Sequence, residues 1–174
     1  VIARWENFYD SIIGEKKPEH LKVAYLCGPQ PLNDLEKLTS LGVLPENVWA
    51  FESDDDSYKE AITTAISSQY QYLKIVKENI EVFFTYTPIK FDIVYFDSCG
   101  PLPNRQSKQK NLKVLTTIFS QHVLNRTGVL ITNFALPFAE QDKVGRKVLS
   151  ELVASDLYPK DYLESVDEDG CEFA

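Results

Sequence analysis

With 174 residues, 44% of them hydrophobic, the chain has enough apolar material for one domain with a buried core. A net charge of −8, from 18 basic and 26 acidic side chains, excludes general attraction to nucleic acid and leaves only a local basic patch for it. No apolar run approaches the roughly 20 residues of a membrane span, and Cys27, Cys99 and Cys171 are too scattered for a disulfide framework or zinc knuckle, so a reducing, cytoplasmic setting is expected.

Residues 1–18 hold Ile2, Trp5, Phe8, Tyr9, Ile12 and Ile13 near helical spacing, which predicts an N-terminal helix ended by Gly14 and Pro18. Leu21 to Leu26 reads as the first strand, and Pro29 and Pro31 as a stiff turn. Leu32 to Leu41 reads as a helix, with Asn33 or Asp34 near its start and Gly42 as its stop. Val48 to Phe51 is the second strand, and Ser53 to Ser68 is a helix with Tyr58, Ala61, Ile62, Ala65 and Ile66 on one face. Two readings are open next. Either Tyr72 to Val76 is a short strand before a helix over Ile80 to Tyr86, or a helix runs on over Gln69 to Asn79 and the strand is Ile80 to Thr85; the first is preferred. Phe91 to Phe96 is the fourth strand, followed by a polar loop over Ser98 to Asn111. A helix over Leu112 to Leu124, a strand over Val129 to Asn133 and a long helix over Phe138 to Leu157 complete the pattern. Residues 158–174 form an acidic tail. The chain begins at Val1 and contains no methionine, which reads either as a piece of a longer protein or as a sequence with residues missing.

Strands and helices alternate, so the expected fold is α/β: a doubly wound, Rossmann-like, mostly parallel sheet flanked by helices, in a single domain over 1–174 with its core at 21–157. Two runs, LKVAYLCG and FDIVYFDSCG, are apolar on both faces and stop at Gly or Pro, as central parallel strands do. Ligands of open α/β sheets bind beyond the carboxyl ends of the strands. That rule places Gly28, Glu52 and Asp97 along one crevice.

Gly28 admits close approach of a ligand to the backbone, and the free amides of the next helix favour polar or anionic groups; a simple strand-to-helix turn is the plainer reading of the same loop. Glu52, 24 positions on, suits two ribose hydroxyls, or else a solvated acid or helix cap. Asp97 suits a base or an orienting carboxylate, with a turn former as its structural counterpart. Asp92 lies at the strand entrance and reads as structural. Cys99 is a nucleophile if exposed and a small buried hydrophobe if not. His20 and His122 lack metal-ligand spacing. Arg105, Lys108, Lys110 and Lys113 make a basic cluster, either a phosphate clamp or a solvated loop.

Taken in order, these residues resemble the class I S-adenosylmethionine-dependent methyltransferases over about Leu21 to Leu157. The resemblance implies a first loop at Gly28 and Pro29 that holds the cofactor's methionine part. It implies Glu52, with Ser53 beside it, at the ribose, and Glu78 or Asn79 at the adenine. The loop from Asp97 through Cys99 would meet the substrate, with a nucleic-acid acceptor drawn to Arg105, Lys108 and Lys110. The first loop departs from the family pattern: it has one glycine, and Leu26 stands where an acid is usual. Asp97-Ser98-Cys99-Gly100 matches neither the amino-methylating nor the cytosine-C5 motif, and no antiparallel pair closes the chain. These departures support a second reading, a non-catalytic methyltransferase-like binding module of a larger protein. A nicotinamide-dependent oxidoreductase is a third, weakened by the lack of a G-x-G-x-x-G run.

Overall fold

The computed structural model describes residues 17–102 and 110–135. Residues 1–16 of the expected N-terminal helix, the expected helix at 138–157, the acidic tail, Arg105 and Lys108 lie outside those residues. The chain divides into two compact units, one of Val1–Ser98 with Lys113–Asn133 and one of Cys99–Leu112 with Phe134–Ala174.

The described elements are β1 (Val23–Leu26), α1 (Leu32–Ser40), β2 (Val48–Phe51), α2 (Asp55–Ile66), β3 (Lys74–Val76), α3 (Ile80–Tyr86), β4 (Phe91–Pro101), α4 (Lys110–Ser120) and β5 (Leu124–Ala135). They build a five-stranded sheet in the order β3-β2-β1-β4-β5. β1 pairs in parallel with β2 and β4, and β2 in parallel with β3. This is a doubly wound sheet, with its strand order reversing beside β1.

Alternation along each strand sorts its side chains to two faces. Val48 and Ala50 join Val23, Tyr25, Leu35, Ala61 and Ile93 in one cluster, where α1 and α2 pack. Trp49 and Phe51 point the other way. There Trp49 meets Phe91 edge-on at 5.3 Å, and Phe51 meets Phe83 and Phe84 at 4.9 and 5.9 Å. α3 has only seven residues, too few for an isolated helix to persist in water. It forms because Ile80 and Phe84 are buried and because the Asn79 side chain accepts the Glu81 N–H at 2.9 Å.

The ambiguous stretch resolves to the preferred reading, a short β3 followed by a helix over Ile80–Tyr86. Two expectations need correction. β4 does not stop at Phe96 but continues to Pro101, so the first residues assigned to a loop are extended chain. Gly100 lies inside that run at φ 106°, a value open to glycine, where its sequence neighbours had read as a stop. The helix expected over Leu112 to Leu124 instead spans Lys110–Ser120, and the last strand starts at Leu124, before the expected Val129. His122 adopts φ 49°, a left-handed end, and buried Val123 returns its N–H to the Ile118 carbonyl at 2.9 Å.

Asp92 is structural, as its position implied. It is fully buried, accepting the Lys22 N–H at 2.8 Å and the Asn125 amide at 2.7 Å. The Lys22 carbonyl in turn takes the N–H groups of both Asp92 and Ile93. The entrances of β1, β4 and β5 are thereby tied together at the edge opposite the crevice.

Candidate functional site

The ladder carries one residue beyond the strand ends: the Cys27 N–H bonds the Phe51 carbonyl and the Glu52 N–H bonds the Val76 carbonyl, each at 3.1 Å. The loops after β1 and β2 therefore leave the sheet side by side. The β1 loop is braced from below. Buried Tyr25 donates its hydroxyl to the Pro31 carbonyl at 2.6 Å, and Gln30 donates to Glu60 on α2 at 2.9 Å. Between these anchors Gly28 takes φ 56°, with nothing within 4 Å of the place a Cβ would occupy. The backbone there is left-handed and open, the condition for close approach of a ligand.

Glu52 is half-buried at the end of β2, where its Oε1 accepts the Asp54 N–H at 2.7 Å. Asp54 caps α2, accepting the Asp56 and Ser57 N–H groups at 3.2 and 2.9 Å. The Ser57 amide and side chain, then the Asp56 amide, hold the Asp54 carboxyl below the usual carboxylate range. The capping role thus falls to Asp54, and the Glu52 carboxylate is oriented at the loop's base. Pro29 and Ser53 are exposed beside these turns. Asn79 is the α3 cap, with its Oδ1 committed to Glu81. Asp97 is exposed on β4, and its Oδ2 accepts the Tyr95 hydroxyl at 3.0 Å. Cys99 lies two residues further along β4. Lys110 is exposed at the start of α4.

Electrostatics join several of these groups. Burial, then the Glu52 carboxylate, push the Cys27 thiol up to about 12, with Asp34 adding to the effect. Burial raises the Tyr25 hydroxyl, reinforced by Cys27 and Asp34. Burial, then Asp97, raise the Asp34 carboxyl. Tyr95 is raised by burial and by its bond to Asp97, with Asp34 contributing. Asp34 therefore links two pairs: with Glu52 it acts on Cys27, and with Asp97 on Tyr95. Asp97 does not end its strand as expected, because β4 runs on past it to Pro101. Asp34 is the member that the sequence pattern missed, because it read there only as a helix start. Its carboxylate has no hydrogen-bond or ion-pair partner among the described residues.

Beneath Asp34 a cavity of about 340 Å³ runs along the sheet, lined by Val23, Leu38, Leu41, Ile93, Tyr95 and Ile131, with Lys37 at its rim. Among the described residues no cluster of three metal-ligating side chains occurs, and no helix is long and apolar enough to cross a membrane.

This sheet order with its crevice is the fold of the class I S-adenosylmethionine-dependent methyltransferases. A proposed rRNA methylase from Clostridium thermocellum is 15% identical and superposes with a TM-score of 0.52, covering 91% of this chain and 80% of its own. A chain of the fibrillarin/Nop5p complex is 14% identical at a TM-score of 0.54, over 80% of this chain and 63% of that one. The plantazolicin methyltransferase BamL, solved with a desmethyl analogue and SAH, is 17% identical at a TM-score of 0.49 over 72% of this chain, which spans 41% of that enzyme's length. No family model matches the sequence, and no curated protein matches it.

Proposed function

We propose that this chain binds S-adenosylmethionine in the crevice beyond β1 and β2 and supports transfer of its methyl group. The observation that carries the reading is an open, left-handed Gly28 beside Glu52 at the reversal point of a 3-2-1-4-5 sheet, with Asp34 and Asp97 closing an acidic rim. That donor set fits a ligand with a ribose diol and two positive centres, an ammonium and a sulfonium. When bound, the cofactor supplies a methyl carbon to a nucleophile and leaves as a neutral thioether.

Gly28 and Pro29 would let the methionine part lie against backbone. The Glu52 carboxylate would accept the ribose hydroxyls, with Ser53 beside it and Asn79 at the base. Asp97, steadied by Tyr95, would orient the nucleophile and accept its proton. Cys99 would serve as a thiol nucleophile if the acceptor is a ring carbon. Arg105, Lys108 and Lys110 are the side chains through which a nucleic-acid acceptor would be held, an acceptor class shared with the rRNA methylase above. A second reading, a cofactor-free binding module, draws on the single glycine of the first loop and on Leu26 in place of an acid.

Calorimetric titration with S-adenosylmethionine and S-adenosylhomocysteine separates the two. Micromolar binding by the chain, lost in Glu52→Ala, supports the cofactor crevice. No heat at millimolar ligand refutes it and favours the module.

A further inference from the structure

The cavity at Asp34 shares only its acidic rim, Asp34 and Asp97, with the cofactor reading, and the chemistry of its apolar body is different. Six of its lining side chains, Val23, Leu38, Leu41, Ile93, Tyr95 and Ile131, are aliphatic or aromatic. Its volume of about 340 Å³ falls within the range of small-molecule sites, about 300–1,000 Å³, which are mostly apolar with a few convergent polar groups. Here the polar groups are Asp34, Lys37 and the Tyr95 hydroxyl. Asp34 enters from the first turn of α1, and the Tyr95 hydroxyl is bonded to Asp97 on the neighbouring strand. Asp34 and Tyr95 thus line an apolar cavity, and Asp97, itself outside the lining, adjoins it through the Tyr95 hydroxyl and raises the Asp34 carboxyl. Lys37, an exposed side chain, is the only cation among the described lining residues.

We propose that this cavity takes a small molecule with an apolar, ring-sized body and one protonated amine, the body against Ile93, Leu38 and Ile131 and the amine between Asp34 and Asp97. The proposal rests on the methyltransferase reading for its consequence: the amine is the methyl acceptor. Deprotonated by Asp97, its nitrogen lone pair forms the N–C bond as the methyl–sulfur bond breaks, the sulfur keeps that electron pair, and the proton stays on the Asp97 carboxylate until solvent removes it. Charge complementarity favours this occupant over a polynucleotide, because a phosphate chain entering here would face Asp34 and Asp97 in a chain of net charge −8.

The test separates the cavity from the cofactor. Binding of 2-phenylethylamine, of the uncharged 2-phenylethanol and of the anionic 3-phenylpropionate is measured by calorimetry on the full chain without cofactor. The amine should bind at least about tenfold tighter than the alcohol, the size of one charge-assisted hydrogen bond, and the acid should not bind. Asp34→Asn should remove that preference while leaving the alcohol unchanged. Leu41→Trp, at a partly exposed lining position, should block both ligands and leave S-adenosylmethionine binding intact. Equal affinity for amine and alcohol, or amine binding untouched by either substitution, overturns the proposal. So does methyl transfer to RNA with none to the amine. If the amine binds as expected while S-adenosylmethionine does not bind, the cavity assignment stands and the methyltransferase reading fails alone.

Discussion

Cys27 reports the potential of the crevice from inside it. The thiol is 8% exposed, touches the Phe51 carbonyl through a 3.5 Å S–H contact and is pushed up to about 12 by burial and Glu52. At pH 8 such a thiol is ionised in about one molecule in 10⁴, against about a quarter for an exposed cysteine with a pKa near 8.5. Alkylation by iodoacetamide, which needs the thiolate, should therefore be slower by about three orders of magnitude than for a free thiol. The assay is mass-spectrometric labelling of Cys27 in a Cys99→Ser/Cys171→Ser background between pH 7 and pH 11. The rate should still be rising at pH 10, and Glu52→Gln should move the profile toward lower pH by removing the neighbouring charge. The same shift affects stability. A folded-state pKa above the unfolded value favours the protonated, folded form, so this contribution is intact below about 8.5 and is lost as pH climbs toward about 12. At pH 10 the loss is at most about 2 kcal/mol, absent in Cys27→Ala. A labelling midpoint near that of a free thiol, or a profile indifferent to Glu52→Gln, would refute both the burial of Cys27 and its electrical contact with Glu52.

Asp92→Asn keeps the shape but places an amide where Lys22 and Asn125 both donate. It should cost about 2–4 kcal/mol, read as a lower urea midpoint with an unchanged slope; a neutral substitution would show that this buried carboxylate does not tie the strand entrances. Gly42→Ala forces a Cβ into a left-handed position (φ 92°) and within 3.1 Å of the Pro18 Cβ. The expected loss in the same denaturation assay is about 1–2 kcal/mol, with a smaller loss for Gly28→Ala, where space is open. Equal effects at the two glycines would contradict the packing at Pro18.

Much of the fold was legible because the pattern that selects each element is local. Val48–Phe51 and Ile80–Tyr86 begin and end as the sequence indicates: the first is a run able to bury both faces, and the second follows an Asn cap. The place of Gly28 and Glu52 just past the ends of β1 and β2 follows from βαβ alternation alone, whereas Asp97 falls inside a β4 longer than its pattern indicated. What local pattern could not supply depends on pairing. Ser98 to Pro101 carries turn-forming residues, yet the chain stays extended there; His122 ends a helix that its apolar periodicity would have prolonged. Asp34 has the residue type and position of any first-turn acid. Only the approach of β4 to α1, bringing Asp97 and Tyr95 to its side, gives it a place at the mouth of a cavity. The sequence determined which segments become strands and that Glu52 follows the end of the second. Tertiary structure decided which acids share a neighbourhood, because that depends on strand order and on burial rather than on spacing along the chain.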